Sequence, residues 1–86
     1  MKLLSLCEDI MQLCHNGYEP NWEKTFRYFV EEIKAGNAIE IKREIQNIYT
    51  GMGSFNDLIL QKDGELLSLN NRLDTLRQML YQEITR

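Results

Sequence analysis

The chain has 86 residues, of which 43% are hydrophobic and 27% are charged, a balance typical of a globular domain. This composition excludes a disordered or low-complexity protein, and the length predicts a single domain over residues 1–86. Acids outnumber bases 13 to 10, for a net charge of -3. There is no basic stripe for nucleic acid and no apolar run near the roughly 20 residues that span a bilayer, so neither partner is expected.

The first predicted helix covers residues 2–15 and ends at Asn16-Gly17. Its apolar side chains recur at helical spacing, at Leu3, Leu6, Cys7, Ile10 and Cys14. On such a helix the two cysteines lie roughly 10.5 Å apart along the axis, beyond the limit of about 7 Å between bridged Cα atoms. We therefore expect two free, buried thiols, which suits a cytoplasmic protein.

The second predicted helix follows Glu19-Pro20, with Asn21 as its capping residue, and ends at Ala35-Gly36. Its large apolar side chains fall at intervals of four, three and four residues, at Trp22, Phe26, Phe29 and Ile33. An aromatic row at this spacing is typical of a core rather than of a ligand site.

The third predicted helix begins at Asn37, where Asn37 and Glu40 form a capping-box pattern. Its apolar face consists of Ala38, Ile41, Ile45 and Ile48. Gly51 is the expected terminator, because glycine is the usual residue just after a helix end.

The last predicted helix extends to about residue 84 along the stripe Leu73, Leu76, Leu80 and Ile84. The Asn71-x-x-Asp74 capping pattern predicts a start near Arg72. Before it, the turn signal Asp63-Gly64 would pair residues 58–61 with 65–68 as a small β-hairpin, and one long helix from Glu65 is the alternative. The predicted fold class is mainly α, a compact four-helix domain. The sequence does not decide between the hairpin and the longer helix before the last helix.

Residues that could perform catalysis are scarce. His15 is the single histidine, and adjacent helical residues diverge, so it forms no dyad with Cys14. The neighbouring acids at 8–9 and 31–32 diverge in the same way, so neither pair is expected to form a catalytic pair of carboxylates. There is no Cys-x-x-Cys or His-x-x-x-His ligand pair and no P-loop. We therefore expect no enzyme activity, no metal and no cofactor.

The most distinctive segment is a loop between the third helix and the apolar triplet Leu58–Leu60. It comprises Tyr49, Thr50, Gly51, Met52, Gly53, Ser54, Phe55, Asn56 and Asp57. Ser54 and Asp57 form a capping pattern for a short helical turn. The two glycines before Ser54 could present backbone N–H groups to an anion, but no lysine or arginine lies within four residues, which favours a tight turn.

An exposed loop has no need of this combination of phenylalanine, methionine, asparagine and aspartate. We expect Phe55 and Met52 to turn inward, and Asn56 or Asp57 to hydrogen-bond the backbone or Arg77. The loop would then be mainly a folding device. A direct binding surface is the other interpretation.

Residues 48–60 resemble the signature of a family of small, uncharacterised bacterial proteins, Tyr-Gly-Gly-Met-Gly-Ser-Phe-Asn-Asp-Leu. The resemblance covers roughly residues 22–81, including Trp22, Asp63-Gly64 and a C-terminal pattern over 71–81. Thr50 stands where the family has its first glycine. The resemblance to this family implies no particular activity for the chain. By size and type, its members look like the small cytoplasmic immunity proteins that are encoded beside bacterial toxins.

The placement of charge favours a protein-binding function. Residues 1–32 hold six acids and three bases, whereas residues 33–86 hold seven of each, so the first 32 residues carry the entire net charge of -3. We expect an immunity-type inhibitor that occludes the basic site of a toxin, through Glu8, Asp9, Glu19, Glu23, Glu31 and Glu32.

Other interpretations remain open from the sequence. The same six acids are typical of a solvated surface, and the loop over residues 49–57 would suit the pocket wall of a small ligand-binding or regulatory domain. A protein partner is expected, either a toxin domain or a second copy of this chain in a homodimer.

Overall fold

The computed structural model describes residues 2–50, 54–62, 65–66 and 68–86. Four helices dominate these residues: α1 (Lys2–Asn16), α2 (Pro20–Lys34), α3 (Ala38–Ile48) and α4 (Leu69–Ile84). A 3-10 turn over Phe55–Asp57 and two short strands, β1 (Gln61–Lys62) and β2 (Glu65–Leu66), lie between α3 and α4. The predicted fold class, a mainly α protein of four helices, is confirmed.

The two strands pair antiparallel, with Gln61 opposite Leu66 and Lys62 opposite Glu65. Two residues of each strand pair, whereas four of each, 58–61 and 65–68, were expected. The predicted turn at residues 63–64 lies outside the described residues. The alternative of one long helix from Glu65 is not formed, because β2 occupies that position.

The apolar stripes predicted for the four helices pack together as the core. α1 and α2 run antiparallel, since His15 near the end of α1 contacts Glu23, and Glu8 contacts Lys34 at the end of α2. α1 also contacts α4. The buried residues include Leu3, Leu6, Cys7, Ile10, Cys14, Phe26, Phe29, Ile33, Ile41, Ile45, Leu73, Leu76, Leu80 and Ile84.

The predicted helix ends are right for α1 and α2. Gly36 has a positive φ of 95° just after α2, a conformation that glycine adopts without steric cost. At the end of α1 the left-handed residue is Tyr18, with φ 59°, not Gly17. Gly17 is needed for space, because a Cβ there would lie 2.9 Å from Cδ2 of Leu60.

The predicted helix starts are less accurate. Glu19 caps α2, with Pro20 as its first residue, so Asn21 lies inside the helix. α4 begins at Leu69 rather than near Arg72. For α2 the cause is Pro20, because a proline is favoured at the first position of a helix and starts it before Asn21 is reached.

The capping box expected at the start of α3 does not form. Asn37 holds the capping position, but its side chain makes no capping hydrogen bond. Its Nδ2 instead donates to Oε1 of Glu32 at 3.3 Å. The Asn37 side chain is therefore oriented by its amide donor toward α2, and its oxygen makes no bond to the first turn of α3.

Candidate functional site

Phe55 anchors the distinctive loop in the core, as predicted. Its side chain is fully buried. Its ring centroid lies 5.0 Å from that of Phe26, 5.3 Å from that of Trp22 and 5.6 Å from that of Tyr49. These separations are those of favourable aromatic pairs. Gly51, Met52 and Gly53 lie outside the described residues. The predicted inward position of Met52 therefore stays a prediction.

Arg77 on α4 holds the backbone that follows Phe55. Its Nη1 donates to the carbonyl oxygens of Phe55 at 2.6 Å and Leu58 at 3.0 Å, and its Nη2 donates to Oδ1 of Asp74. The guanidinium also lies 5.6 Å from the centroid of the Phe55 ring. A side chain of α4 thus supplies hydrogen bonds to a segment that has no regular partner.

Tyr49 and Asn56 close the loop from its other side. The Tyr49 hydroxyl donates to the carbonyl oxygen of Arg77 at 2.7 Å, and Nδ2 of Asn56 donates to the carbonyl oxygen of Tyr49 at 3.1 Å. The predicted bond from Asn56 to the backbone is therefore confirmed. Burial raises the pKa of Tyr49, which the positive charge of Arg77 only partly offsets.

Ser54 and Asp57 flank a 3-10 turn, which agrees with the predicted short helical turn. The reason differs from the prediction, because Ser54 makes no side-chain capping bond there. The backbone N–H of Asp57 donates to the carbonyl oxygen of Ser54 at 3.0 Å, and Ser54 itself is buried.

Asn70 is an important contact that the sequence did not indicate. Its Oδ1 accepts from the backbone N–H of Leu60 at 2.7 Å, and its Nδ2 donates to the carbonyl oxygen of Leu60 at 2.9 Å. The side-chain amide thus pairs with Leu60 as a neighbouring strand would. The two residues are ten apart, so helical periodicity carries no signal of this pair.

An open groove runs along α4 beside the loop, and we call it the α4 groove. Its volume is about 470 Å³, and its lining residues are Tyr49, Asn56, Asp74, Arg77, Gln78, Tyr81 and Gln82. The rings of Tyr49 and Tyr81 meet edge to face, with centroids 5.3 Å apart. Two residues of the predicted loop, Tyr49 and Asn56, therefore form part of a concave surface.

Three of the six acids expected to bind a partner have a cation of this chain beside them. Oε2 of Glu8 lies 3.8 Å from Nζ of Lys34, and Oδ2 of Asp9 lies 4.0 Å from Nη2 of Arg72. Glu23 is enclosed more tightly, with Oε2 2.8 Å from Nη2 of Arg27. The same carboxylate oxygen lies 3.3 Å from Nδ1 of His15.

The other three predicted acids are Glu19, Glu31 and Glu32. Glu19 lies near Glu23 at the junction of α1 and α2, and both charges act on the thiol of Cys14. Glu32 lies at the opposite end of α2, where it accepts from Asn37. Glu31 lines a surface depression on α2 together with Glu23, so the six acids are spread along α1 and α2.

Tyr28 is an exposed tyrosine close to two carboxylates, a feature that the sequence reasoning missed. It is 44% exposed, and its hydroxyl donates to Glu44 of α3, 3.2 Å from Oε1 and 3.1 Å from Oε2. This hydrogen bond raises the pKa of Tyr28, and the nearby charge of Glu32 adds to the effect. Tyr28 and Glu44 are 16 residues apart, so no local pattern could pair them.

Tyr28 also borders an open groove between α2 and α3. The groove has a volume of about 570 Å³ and is lined by Lys24, Thr25, Tyr28, Phe29, Glu44, Asn47 and Ile48. An aromatic ring, aliphatic carbon, the carboxylate of Glu44 and the ammonium group of Lys24 thus line one groove. We call Tyr28, Glu32 and Glu44 the Tyr28 surface.

The two cysteines are poorly suited to nucleophilic or metal chemistry. Cys7 and Cys14 are free and buried, and desolvation raises the pKa of each thiol to about 12. A thiol must ionise to act as a nucleophile or metal ligand. Within the described ranges, no three His, Cys, Asp or Glu side chains come together as metal ligands would.

The fold and these surfaces define a small, mainly α protein of four helices whose distinctive loop is joined to α4 by polar side chains. Residues 15–68 match the family model for Domain of unknown function (DUF6966), so the chain belongs to that family. This agrees with the resemblance to an uncharacterised family. No curated protein and no solved structure matches the chain. In the described part of the chain, none of the helices has the length and apolar character required to cross a bilayer.

Proposed function

We propose that this chain is a protein-binding module that neutralises a bacterial toxin by covering a basic site on it. The observation that carries the proposal is the Tyr28 surface, an exposed tyrosine that is hydrogen-bonded to Glu44 and near the charge of Glu32. Tyrosine is enriched among residues that dominate binding energy. Carboxylates around it would orient a basic partner and speed its approach.

Within this proposal we expect the contact at α2 and α3 rather than at all six acids predicted from the sequence. Glu8, Asp9 and Glu23 each have a cation of this chain beside them, so their fields are partly cancelled. Glu32 accepts from a neutral amide, and Glu44 accepts from a neutral hydroxyl. Neither carboxylate forms an ion pair among the described residues, although Lys24 lines the same groove as Glu44. The net charge of -3 favours a basic partner.

The site of action in this proposal is the bacterial cytoplasm. Its support is the pair of free, buried thiols at Cys7 and Cys14, because cysteines remain reduced in that compartment. An inhibitor placed there would protect the cell that makes the toxin.

The direct test uses the protein encoded beside this chain in its genome. If the neighbouring frame encodes a toxin domain, co-expression of this chain should restore growth. The purified proteins should then associate more slowly as ionic strength rises. A neighbour that belongs to a metabolic operon, or an association rate that does not respond to salt, would contradict the proposal.

Charge-matched variants separate the Tyr28 surface from net charge. Glu32→Gln with Glu44→Gln should slow association by about tenfold, within the range of electrostatic steering. Glu8→Gln with Asp9→Asn removes the same charge from acids that already have partners, and it should have a smaller effect. Equal effects of the two double variants would show that only net charge matters.

Tyr28 itself gives a sharper readout. Tyr28→Ala should weaken the complex by about 2 kcal/mol, mainly through faster dissociation, as expected for the centre of an interface. Tyr18→Ala is the matched control, because Tyr18 is an exposed tyrosine at 64% on another part of the surface. Surface plasmon resonance measures both rates. An unchanged dissociation rate for Tyr28→Ala would place the contact elsewhere.

A second candidate is a small ligand-binding or regulatory domain that uses the loop over 49–57. The observation that favours it is the α4 groove, since Tyr49 and Asn56 lie in its wall. A thermal-shift panel of nucleotides, anions and cations discriminates between the two. Clear stabilisation by one compound, in a protein that does not bind its genomic neighbour, would favour this second function.

A further inference from the structure

The cation in the wall of the α4 groove is already hydrogen-bonded within the chain, which makes the groove a poor site for an anion. Arg77 is the one cation among the described residues that line it. Its guanidinium donates to two backbone carbonyls and to Asp74, and its side chain is only 13% exposed. A phosphate or carboxylate entering the groove would therefore find no free positive charge.

The exposed groups of the α4 groove are instead suited to a cation. The Asp74 side chain is 63% exposed. Arg77 partly cancels its charge, as cations do for Glu8 and Asp9, but a carboxylate has about four acceptor positions, so its bond to Arg77 leaves others open to N–H donors. The side-chain amides of Gln78 and Gln82 lie along the same wall. Tyr81, 52% exposed, presents a ring that is held edge to face by the ring of Tyr49.

From this arrangement we infer that the α4 groove binds an arginine side chain of a protein partner. The guanidinium is planar, always charged and carries five N–H donors, so it can stack on Tyr81 while it donates to Asp74 and the two glutamines. An ammonium carries three donors on a single point and cannot stack in the same way. The basic character of the partner rests on the proposed function, whereas recognition of the side chain can be measured on this chain alone.

The experiment is an NMR titration of the isolated protein with N-acetyl-arginine amide. The arginine compound should give saturable shifts at Gln78, Tyr81 and Gln82. N-acetyl-lysine amide should bind about two- to fivefold more weakly, since it loses the stacked contact. The citrulline analogue has the same shape without the charge, and it should bind weakly or not at all. Absence of saturable shifts with the arginine compound would overturn the inference, as would equal binding of the citrulline compound or of inorganic phosphate.

Two substitutions locate the bound side chain. Tyr81→Ala should weaken binding of N-acetyl-arginine amide by about two- to fivefold, the value of an exposed cation–π contact. Tyr81→Phe should retain most of the affinity, because the ring remains. Tyr18→Ala is the control for an exposed tyrosine outside the groove and should leave the affinity unchanged. Equal affinity in Tyr81→Ala and the unmodified chain would place the compound elsewhere.

The outcomes for this groove and for the proposed function are separable. If the genomic neighbour is no toxin but the arginine compound binds at Tyr81, the groove stands and the toxin proposal falls. If the chain neutralises a toxin and the arginine compound does not bind, the proposed function stands and the groove assignment falls.

Discussion

The α1–α2 pair and the segment from α3 to α4 are held together in different ways. Between α1 and α2, whole apolar stripes face each other, and the polar contacts lie at the surface, as between Glu8 and Lys34. Between α3 and α4, polar side chains reach backbone groups of the loop, as Arg77 and Asn70 do.

This difference follows from what each region has to bury. A helix satisfies its own backbone hydrogen bonds, so its packing needs only an apolar face. The irregular segment around Phe55 and Leu60 is carried into the core with its N–H and carbonyl groups, and a buried group left unpaired costs about 1–3 kcal/mol. Arg77 and Asn70 supply those partners.

The largest expected effect tests the apolar contacts. Phe26 is fully buried, and its ring contacts those of Phe29 and Phe55. Phe26→Ala should lower the free energy of unfolding by about 3–5 kcal/mol through lost burial and the cavity left behind. Urea denaturation measures the change, with Phe26→Leu as the milder control. A loss below 1 kcal/mol would contradict the assignment of Phe26 to the core.

The second effect is alkaline destabilisation through the buried thiols of α1. Cys7 and Cys14 ionise near pH 9 when unfolded, but the folded pKa of each is about 12. Between these values the folded chain binds more protons than the unfolded chain, so the free energy of unfolding falls as pH rises. The stabilisation is complete below pH 9, and its loss reaches about 1.4 kcal/mol per pH unit for each thiol.

Urea denaturation at pH 7, 9 and 10 measures this slope. The double variant Cys7→Ala, Cys14→Ala should be less stable at pH 7 but should lose much of the decrease between pH 9 and pH 10. The same slope in the variant and the unmodified chain would assign the pH dependence to other groups, such as tyrosines.

The third effect tests the polar contacts around the loop. Arg77→Met keeps much of the apolar stem but removes the donors to the carbonyl oxygens of Phe55 and Leu58. We expect a loss of about 2–3 kcal/mol, because hydrogen bonds from a charged group are among the stronger ones. Hydrogen exchange should accelerate most at the amides of residues 57–60, which would separate local loosening from the global loss in Phe26→Ala. Uniform acceleration throughout the chain would contradict this local role.

The smallest effect concerns the amide of Asn70. Asn70→Ala removes two hydrogen bonds to the backbone of Leu60 and should cost about 1–2 kcal/mol. Asn70→Asp keeps the acceptor for the Leu60 N–H but loses the donor to its carbonyl oxygen, so it should be no more stable than Asn70→Ala. Thermal denaturation compares the two. Asn71→Ala is the neighbouring control and should have a smaller effect, since Asn71 is exposed.

The helices themselves were predictable, because each amphipathic stripe is a local pattern. The spacing of Leu3, Cys7 and Ile10 is sufficient to place them on one buried face, and the structure buries them there. The inward position of Phe55 was predictable as well, since a loop gains little by exposing an aromatic ring. The capping residues were less predictable. A cap contributes about 1 kcal/mol, and a nearby tertiary partner such as Glu32 for Asn37 can outweigh it.

The two candidate binding surfaces depend on contacts that no window of the sequence contains. Tyr28 meets Glu44 across two helices, and Tyr81 meets Tyr49 across the α4 groove. The charge count correctly indicated where acids are concentrated along the chain. It could not indicate which acids have a cation beside them, as Glu8 and Asp9 do.

The sequence by itself determined the four helices, their buried faces and the two free thiols, because spacing along one helix depends only on the helix. The tertiary structure alone decided how Arg77, Asn70 and Tyr28 find their partners. A hydrogen bond forms only when two groups lie about 3 Å apart. For residues 10 to 22 positions apart, that distance is set by how the elements pack and not by their order in the chain.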